Sequence, residues 1–221
     1  MDCDLSQGYG MTELSGSIAF LGPKQHCLAS TTSPELLQSV GQLVTGVECN
    51  IVDQYGNEVV RGEIGEIIVR GEQVISQYWN NPLATAETFK QGWLYTGDIG
   101  RFDSQGNLAI VDRKKDIIIS GGENIASREV EAVISLLDNV KQVAVVGIAD
   151  QKWGERVCAM VERVDQQLAE PSKAKVISQC RDQLAGYKSP KLVLFDRLPV
   201  NANGKIDKQK VKCVFTDQEN S

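Results

Sequence analysis

Histidine is nearly missing from this 221-residue sequence: His26 is the only one. A Ser-His-Asp or Cys-His hydrolase would have to use it as general base. It stands in a polar segment with no acidic neighbour nearby, so that class is set aside. The six cysteines (Cys3, Cys27, Cys49, Cys158, Cys180 and Cys213) include no C-x-x-C pair, which argues against zinc. In an intracellular chain such thiols stay reduced. No apolar run reaches membrane-spanning length. The opening Met1-Asp2-Cys3-Asp4 is polar and acidic rather than a leader. Cytoplasmic residence, with no transmembrane segment, is therefore the expectation. The net charge of −6 argues against a nucleic-acid partner, whose phosphates need a basic face. Neither internal repeats nor low-complexity tracts are visible.

What is present is ordinary for a globular chain: 42% hydrophobic and 24% charged residues, enough for one or two domains. Residues 22–39 mix Pro, Gly, Ser and Thr without a period and read mostly as loop. Val47–Val52 alternates as a half-buried strand and stops at the Asp53–Asn57 turn. Strands are also expected at Ile67–Arg70, at Trp93–Tyr95 with Ile99–Asp103, and at Leu108–Val111 after the Ser104–Asn107 turn. Asn81-Pro82 opens a short helix running to Lys90. Together these give a mainly antiparallel β subdomain.

The pattern then changes. Ser127 is a candidate cap for a helix burying Val130, Val133, Ile134 and Leu137. Val143–Ile148 and Val157–Val161 read as buried strands. A second helix follows Ser172, buries Val176, Ile177, Cys180 and Leu184, and ends at Gly186. Leu192–Phe195 is a last strand, and Thr216–Ser221 a polar tail. This second part reads as a small α+β domain.

Five stretches carry possible chemistry. In Gln7-Gly8-Tyr9-Gly10-Met11-Thr12-Glu13 the glycines let a ligand approach the backbone and Tyr9 offers a stacking face. Thr12 adds a hydroxyl, and Glu13 a carboxylate suited to Mg²⁺; a loop entering a helix would look similar. Asp98 in Tyr95-Thr96-Gly97-Asp98 suits a ribose diol, or forms a plain Gly-Asp turn. Asp112–Asp116 is an unbroken run of charge that could be a solvated linker. Ile117–Ile119 then feeds Ser120-Gly121-Gly122-Glu123-Asn124, a strand and tight turn at the least. Asn203-Gly204 is a turn signal that would present Lys205 as a point charge for phosphate or carboxylate.

In this order and rough spacing, the five stretches resemble those of the adenylate-forming enzymes. The chain is similar to the C-terminal part of an AMP-forming acyl-CoA synthetase, on the fatty-acyl- and aryl-CoA ligase branch. The Gly-Gly-Glu-Asn stretch and Lys152-Trp153-Gly154-Glu155 point to that branch. The resemblance implies an α+β fold with a mainly antiparallel, β-barrel-like subdomain and a small, mobile C-terminal α+β domain. Residues 1–38 would be the remnant of a large N-terminal domain, 39–112 the β subdomain, 113–116 the hinge and 117–221 the mobile domain.

It further implies ATP, Mg²⁺, coenzyme A and a carboxylic acid as partners. Gln7, Gly8 and Tyr9 would line the adenine site, Thr12 would contact phosphate and Glu13 would hold Mg²⁺. Asp98 and Arg113 would take the ribose hydroxyls, and Lys205 would bridge the substrate carboxylate and the α-phosphate. Lys115 would be the pivot, and Ser120, Gly121 and Gly122 would line the passage for coenzyme A. Lysines that some relatives carry at the positions of Ile119 and Gly121 are absent. So is the Ser/Thr/Gly-rich phosphate loop expected upstream of Gln7, which marks the chain as a fragment, inactive alone, of a larger enzyme. The alternatives are an adenylation domain that loads a carrier-protein thiol and a non-catalytic truncated module.

Overall fold

The computed structural model describes residues 3–168 and 171–219. The first two residues of the leader reading and the last two of the tail reading lie outside them. The chain divides into two compact units, Met1–Lys114 and Lys115–Ser221, and both are built of mainly antiparallel sheets with helices.

In the first unit, β1 (Gln7–Met11), β2 (Gly16–Leu21) and β3 (Gln42–Leu43) form one small sheet, with α1 (Pro23–Thr31) between the last two. The second sheet holds β4 (Val47–Val52), β5 (Gly65–Gly71), β6 (Phe89–Lys90), β7 (Trp93–Phe102) and β8 (Leu108–Arg113), with α2 (Pro82–Thr88) leading into β6. β7 is its centre: β5 pairs along one side, β6 and β8 along the other. Two backbone bonds tie the sheets together, Val40 N–H to the Leu108 carbonyl (2.7 Å) and Leu108 N–H to the Gly41 carbonyl (2.8 Å).

Leu14, Ile18 and Ala19 are fully buried in one core with Ile51, Ile67, Val69, Leu94 and Leu108. Residues 1–38 and 39–112, read separately in the sequence, thus share their apolar interior. The β-branched and leucine side chains of alternate strand positions supply it, as expected of sheets with one covered face.

The second unit begins with the hairpin β9 (Ile118–Ser120) and β10 (Glu123–Ile125), then α3 (Ser127–Ser135), β11 (Val140–Asp150), β12 (Gly154–Arg163), α4 (Lys173–Gln183), β13 (Leu192–Phe195) and α5 (Lys208–Glu219). The sheet order is β10-β9-β12-β11, with β13 parallel to β12. Along β11 and β12 every second residue points to one face. Val143, Val145, Val157, Ala159 and Val161 meet α3 and α4. Ala144, Val146, Ile148, Cys158 and Met160 meet Val211 and Phe215 of α5. A sheet covered on both faces needs continuous apolar strands, which is what these runs are.

Four local expectations are corrected. Residues 22–39 hold α1 and a 3-10 turn at Pro34–Gln38 rather than loop. Pro23 occupies the first helical position, and the Gly22 N–H donates to Gln25 Oε1 at 3.1 Å. The helix has no apolar stripe, which is why the periodicity missed it. Ser127 lies inside α3, and its hydroxyl accepts from Lys208 Nζ at 2.6 Å instead of capping. α4 ends at Gln183, before Gly186, which starts a 3-10 turn. Thr216–Glu219 is the last turn of α5 rather than a tail.

Candidate functional site

Tyr9, Asp98 and Arg113 come together from three strands of the first unit. The Tyr9 hydroxyl donates to Asp98 Oδ2 at 2.7 Å, and Arg113 Nε lies 3.6 Å from Oδ1. Asp98 and Arg113 are cross-strand partners on β7 and β8. The Asp98 side chain is only 13% exposed, while that of Arg113 is 54% exposed. A carboxylate so enclosed needs charge-assisted partners, and both its oxygens have one.

The local backbone aims it. β5 pairs Glu66 with Ile99 and Ile68 with Tyr95, so Ile67 alone faces Thr96-Gly97-Asp98. Such a bulge re-aims a side chain. Gly97 takes the turn at a φ of 72°, and Thr96 Oγ1 locks it by donating to the Ile67 carbonyl (2.8 Å) and accepting the Asp98 N–H (3.1 Å). Burial first, then the Asp98 carboxylate, holds the Tyr9 hydroxyl well above its ordinary pKa. Tyr9 is therefore a fixed donor at working pH, its ring half-buried beside exposed Gln7 and Gly8.

Thr12 and Glu13 sit on the 3-10 turn after β1, Thr12 exposed and Glu13 half-buried. Glu13 Oε1 accepts the Tyr78 hydroxyl at 2.8 Å, and its carbonyl accepts the Ile75 N–H at 3.0 Å. Tyr78 is held edge-on by Phe89 with ring centres 5.8 Å apart. One carboxylate oxygen thus stays available to a hard cation. Among the described residues no cluster of three or more acidic, His or Cys side chains could hold a metal. Mg²⁺, the cation the resemblance implies, takes one or two carboxylates and completes its shell with phosphates and water.

The charged run is mostly engaged. Asp112 is buried and accepts the Arg113 N–H at 2.8 Å; Lys114 Nζ lies 2.8 Å from the nearly buried Glu66. Lys115, the first residue of the second unit, is exposed.

In the second unit, Gly121 and Gly122 form the two-residue turn between β9 and β10, at φ 63° and 87°. Positive φ at both positions suits the twist of a tight hairpin and favours glycine. The Lys152–Glu155 segment braces this hairpin. Gly121 N–H donates to the Trp153 carbonyl (2.7 Å), and Ile119 N–H to Glu155 Oε2 (2.8 Å). A Cβ on Gly121 would stand 3.0 Å from the Trp153 ring. Ser120, next to the turn, is half-buried and pairs with Gly154. Lys205 is exposed at the end of the loop before α5. The three buried cysteines are poor nucleophiles: burial pushes the Cys49 thiol up to about 12 and those of Cys158 and Cys180 to about 11.

Sequence reasoning missed the supporting residues Tyr78, Glu66, Glu155 and Lys208. Lys208 Nζ reaches both Ser127 and Glu131, whose Oε1 also takes the Val145 N–H on the edge strand β11 (2.8 Å). Only Glu155 had a signal, lying in the Lys152-Trp153-Gly154-Glu155 stretch already noticed.

Two family patterns match the chain: AMP-binding enzyme over residues 1–79 and AMP-binding enzyme C-terminal domain over residues 129–205. A long-chain-fatty-acid–CoA ligase of Escherichia coli O157:H7 is 41% identical over 94% of this chain and 35% of its own length. The amide bond synthetase McbA of Marinactinospora thermotolerans is 40% identical with a TM-score of 0.85, over 95% of this chain and 41% of that one. The o-succinylbenzoate CoA synthetase of Bacillus subtilis, solved with its acyl-adenylate intermediate, is 36% identical with a TM-score of 0.83, over 94% and 40%. The chain spans about two fifths of the length of the curated relatives it matches.

Proposed function

Because the chain belongs to the AMP-binding enzymes, we propose that it carries the nucleotide-holding and acyl-transfer elements of an AMP-forming acid–CoA ligase acting on a fatty or aryl acid. The observation that carries this reading is the Tyr9–Asp98–Arg113 cluster. An enclosed carboxylate flanked by a fixed hydroxyl donor and a guanidinium suits a ribose diol, and the Tyr9 ring beside it suits a purine face. In the first half-reaction a carboxylate oxygen of the acid attacks the α-phosphorus of ATP and pyrophosphate leaves. Thr12 contacts phosphate, and Lys205 offsets the charge that builds between the reacting groups. The free oxygen of Glu13 would hold Mg²⁺, which offsets phosphate charge when bound. In the second half-reaction the coenzyme A thiol attacks the acyl carbonyl and AMP leaves, with Ser120, Gly121 and Gly122 lining the approach. Rotation at Lys115 exchanges Lys205 for the Ser120–Gly122 hairpin between the two steps.

The phosphate loop is not in this sequence, so the 221-residue chain supplies part of the machinery. The similarity to an amide bond synthetase favours one second reading, in which an amine takes the acyl group from the same adenylate. The two readings share the first half-reaction and part at the acceptor. Binding of AMP to this chain tests the common part. By ligand-observed NMR, Asp98→Ala should weaken AMP binding by about tenfold or more, the worth of one or two hydrogen bonds to a charged group. Equal binding by both chains would sink the ribose assignment. With the remainder of a ligase supplied, product analysis in the presence of coenzyme A and an amine decides the acceptor.

A further inference from the structure

Three loops of this protein share one construction: Asp53–Asn57, Asp103–Asn107 and Asn201–Lys205. In each, the fourth residue is a glycine at positive φ (85°, 84° and 74°). Its N–H donates to the carbonyl of the first residue, at 3.1, 3.2 and 2.9 Å. The N–H of the first donates to the carbonyl of the fifth, at 2.9, 3.0 and 2.8 Å. This is a three-residue hairpin loop with glycine in the left-handed position. The first side chain completes each loop through Oδ1. It accepts from Tyr55 and Asn57 (2.8 and 2.9 Å), from Gln105 and Asn107 (both 2.8 Å), and from Asn203 and Lys205 (2.9 and 3.1 Å).

The chemistry of the first and fifth residues sets the third loop apart. In the first two loops the first residue is an aspartate, and its second oxygen holds the side chain of the fifth residue. Asn57 Nδ2 donates to Asp53 Oδ2 at 3.2 Å, and Asn107 Nδ2 to Asp103 Oδ2 at 2.7 Å. In the third loop the first residue is Asn201 and the fifth is Lys205. Two backbone N–H groups converge on one head of the Asn201 amide, so that head is the oxygen and the other is the NH₂ group. An NH₂ group donates and cannot accept from an ammonium. The next carboxylate along the chain, Asp207, accepts the Lys210 N–H at 3.2 Å and lies 3.7 Å from Lys210 Nζ.

We propose that Asn201 is a positioning residue for Lys205: it caps the turn as an aspartate would, yet leaves the Lys205 ammonium with no anchor in its own loop. An aspartate here would offer the ammonium the same second oxygen that holds Asn57 and Asn107. The ammonium would then be neutralised and drawn back, instead of extended toward an incoming carboxylate and phosphate. The proposal rests on the reading of Lys205 as the adenylation lysine.

Asn201→Asp is the informative substitution, because it keeps the cap and adds only the charge. Acetylation of Lys205 in the 221-residue chain, followed by peptide mass spectrometry, reads the tether without any activity. Asn201→Asp should slow modification at Lys205 several-fold and leave other lysines unchanged. The effect should shrink at 1 M salt, since the pair is exposed and screening is then strong. Asn201→Ser, a neutral cap, should react like the parent. In a ligase completed with the rest of its relatives' length, Asn201→Asp should slow carboxylate-dependent pyrophosphate exchange about ten- to a hundredfold, approaching the loss of one charge-stabilising donor. Transfer from supplied acyl-adenylate to coenzyme A should persist. Unchanged Lys205 acetylation in Asn201→Asp overturns the tether. Unchanged exchange, while Lys205→Ala abolishes it, overturns its catalytic consequence. Unchanged exchange in Lys205→Ala refutes the reading of Lys205 instead, and the proposal with it.

Discussion

Tyr9 and Asp98 stand 89 residues apart in sequence, and 2.7 Å separates their oxygens. What each can offer a ligand depends on that meeting: the tyrosine is kept protonated, and the carboxylate keeps lone pairs free beyond the bond it accepts. Lys205 is the opposite kind of residue, exposed and held only through its backbone, whose N–H donates to Asn201 Oδ1 and whose carbonyl accepts the Asn201 N–H. Its proposed contribution is a positive charge free to extend toward the reacting groups. With the remaining length of a ligase present, Lys205→Ala should cut adenylation by about two to four powers of ten if it acts as an oxyanion-type contact. Conversion of a supplied acyl-adenylate and coenzyme A should largely survive. An equal loss in both half-reactions would contradict the division of labour between Lys205 and the Ser120–Gly122 hairpin.

The elements differ in how firmly they are held. The hairpin β9–β10 is short and would be marginal alone. The bonds from Gly121 to Trp153 and from Ile119 to Glu155 fix it to the turn before β12 and to the first residues of β12 itself. Gly147 makes room for this brace, since a Cβ there would fall 2.7 Å from the Glu155 carboxylate. Immediately before the hairpin, Arg113 and Lys114 are tied into the first unit through Asp98 and Glu66. Lys115 is the first exposed residue beyond those ties. If rotation occurs there, Lys115→Pro fixes the local φ and impedes it. Stopped-flow separation of the half-reactions should find adenylate formation preserved and thioester formation slowed. Unchanged turnover with coenzyme A would move the pivot elsewhere.

At the scale of the molecule, each unit has its own apolar core and can be expected to fold as a body. Chemistry asks for more than folding. Transition-state stabilisation needs donors fixed around the phosphates before reaction, and on the proposed reading this sequence holds the carboxylate, hydroxyl and lysine side of that cradle without the phosphate loop. The purified 221-residue chain should therefore show no carboxylate-dependent exchange of labelled pyrophosphate into ATP. Exchange that Lys205→Ala abolishes would refute this. Near the start of the chain the apolar side chains are only partly exposed. Leu14, Ile18, Ala19 and Leu21 are buried, and Leu5 and Phe20 remain exposed.

Local rules were enough for much of this protein. Alternation located β4, a short apolar run located β5, continuous apolar runs located β11 and β12, and Asn-Gly or Gly-Gly marked the turns at Gly204 and Gly121. Those signals depend on neighbours within a few residues, so one sequence contains them. α1 escaped because its polar surface has no stripe. α5 escaped although Val211, Val214 and Phe215 recur at helical spacing and β11 and β12 need a cover on both faces. The candidate site residues were legible as motifs, through resemblance more than through any single local pattern. Their partners were not. That Tyr78 holds Glu13, Glu66 holds Lys114 and Lys208 reaches Ser127 and Glu131 follows from strand register and helix docking. Such pairings join residues dozens of positions apart, and only the packing of whole elements brings their side chains within a hydrogen bond.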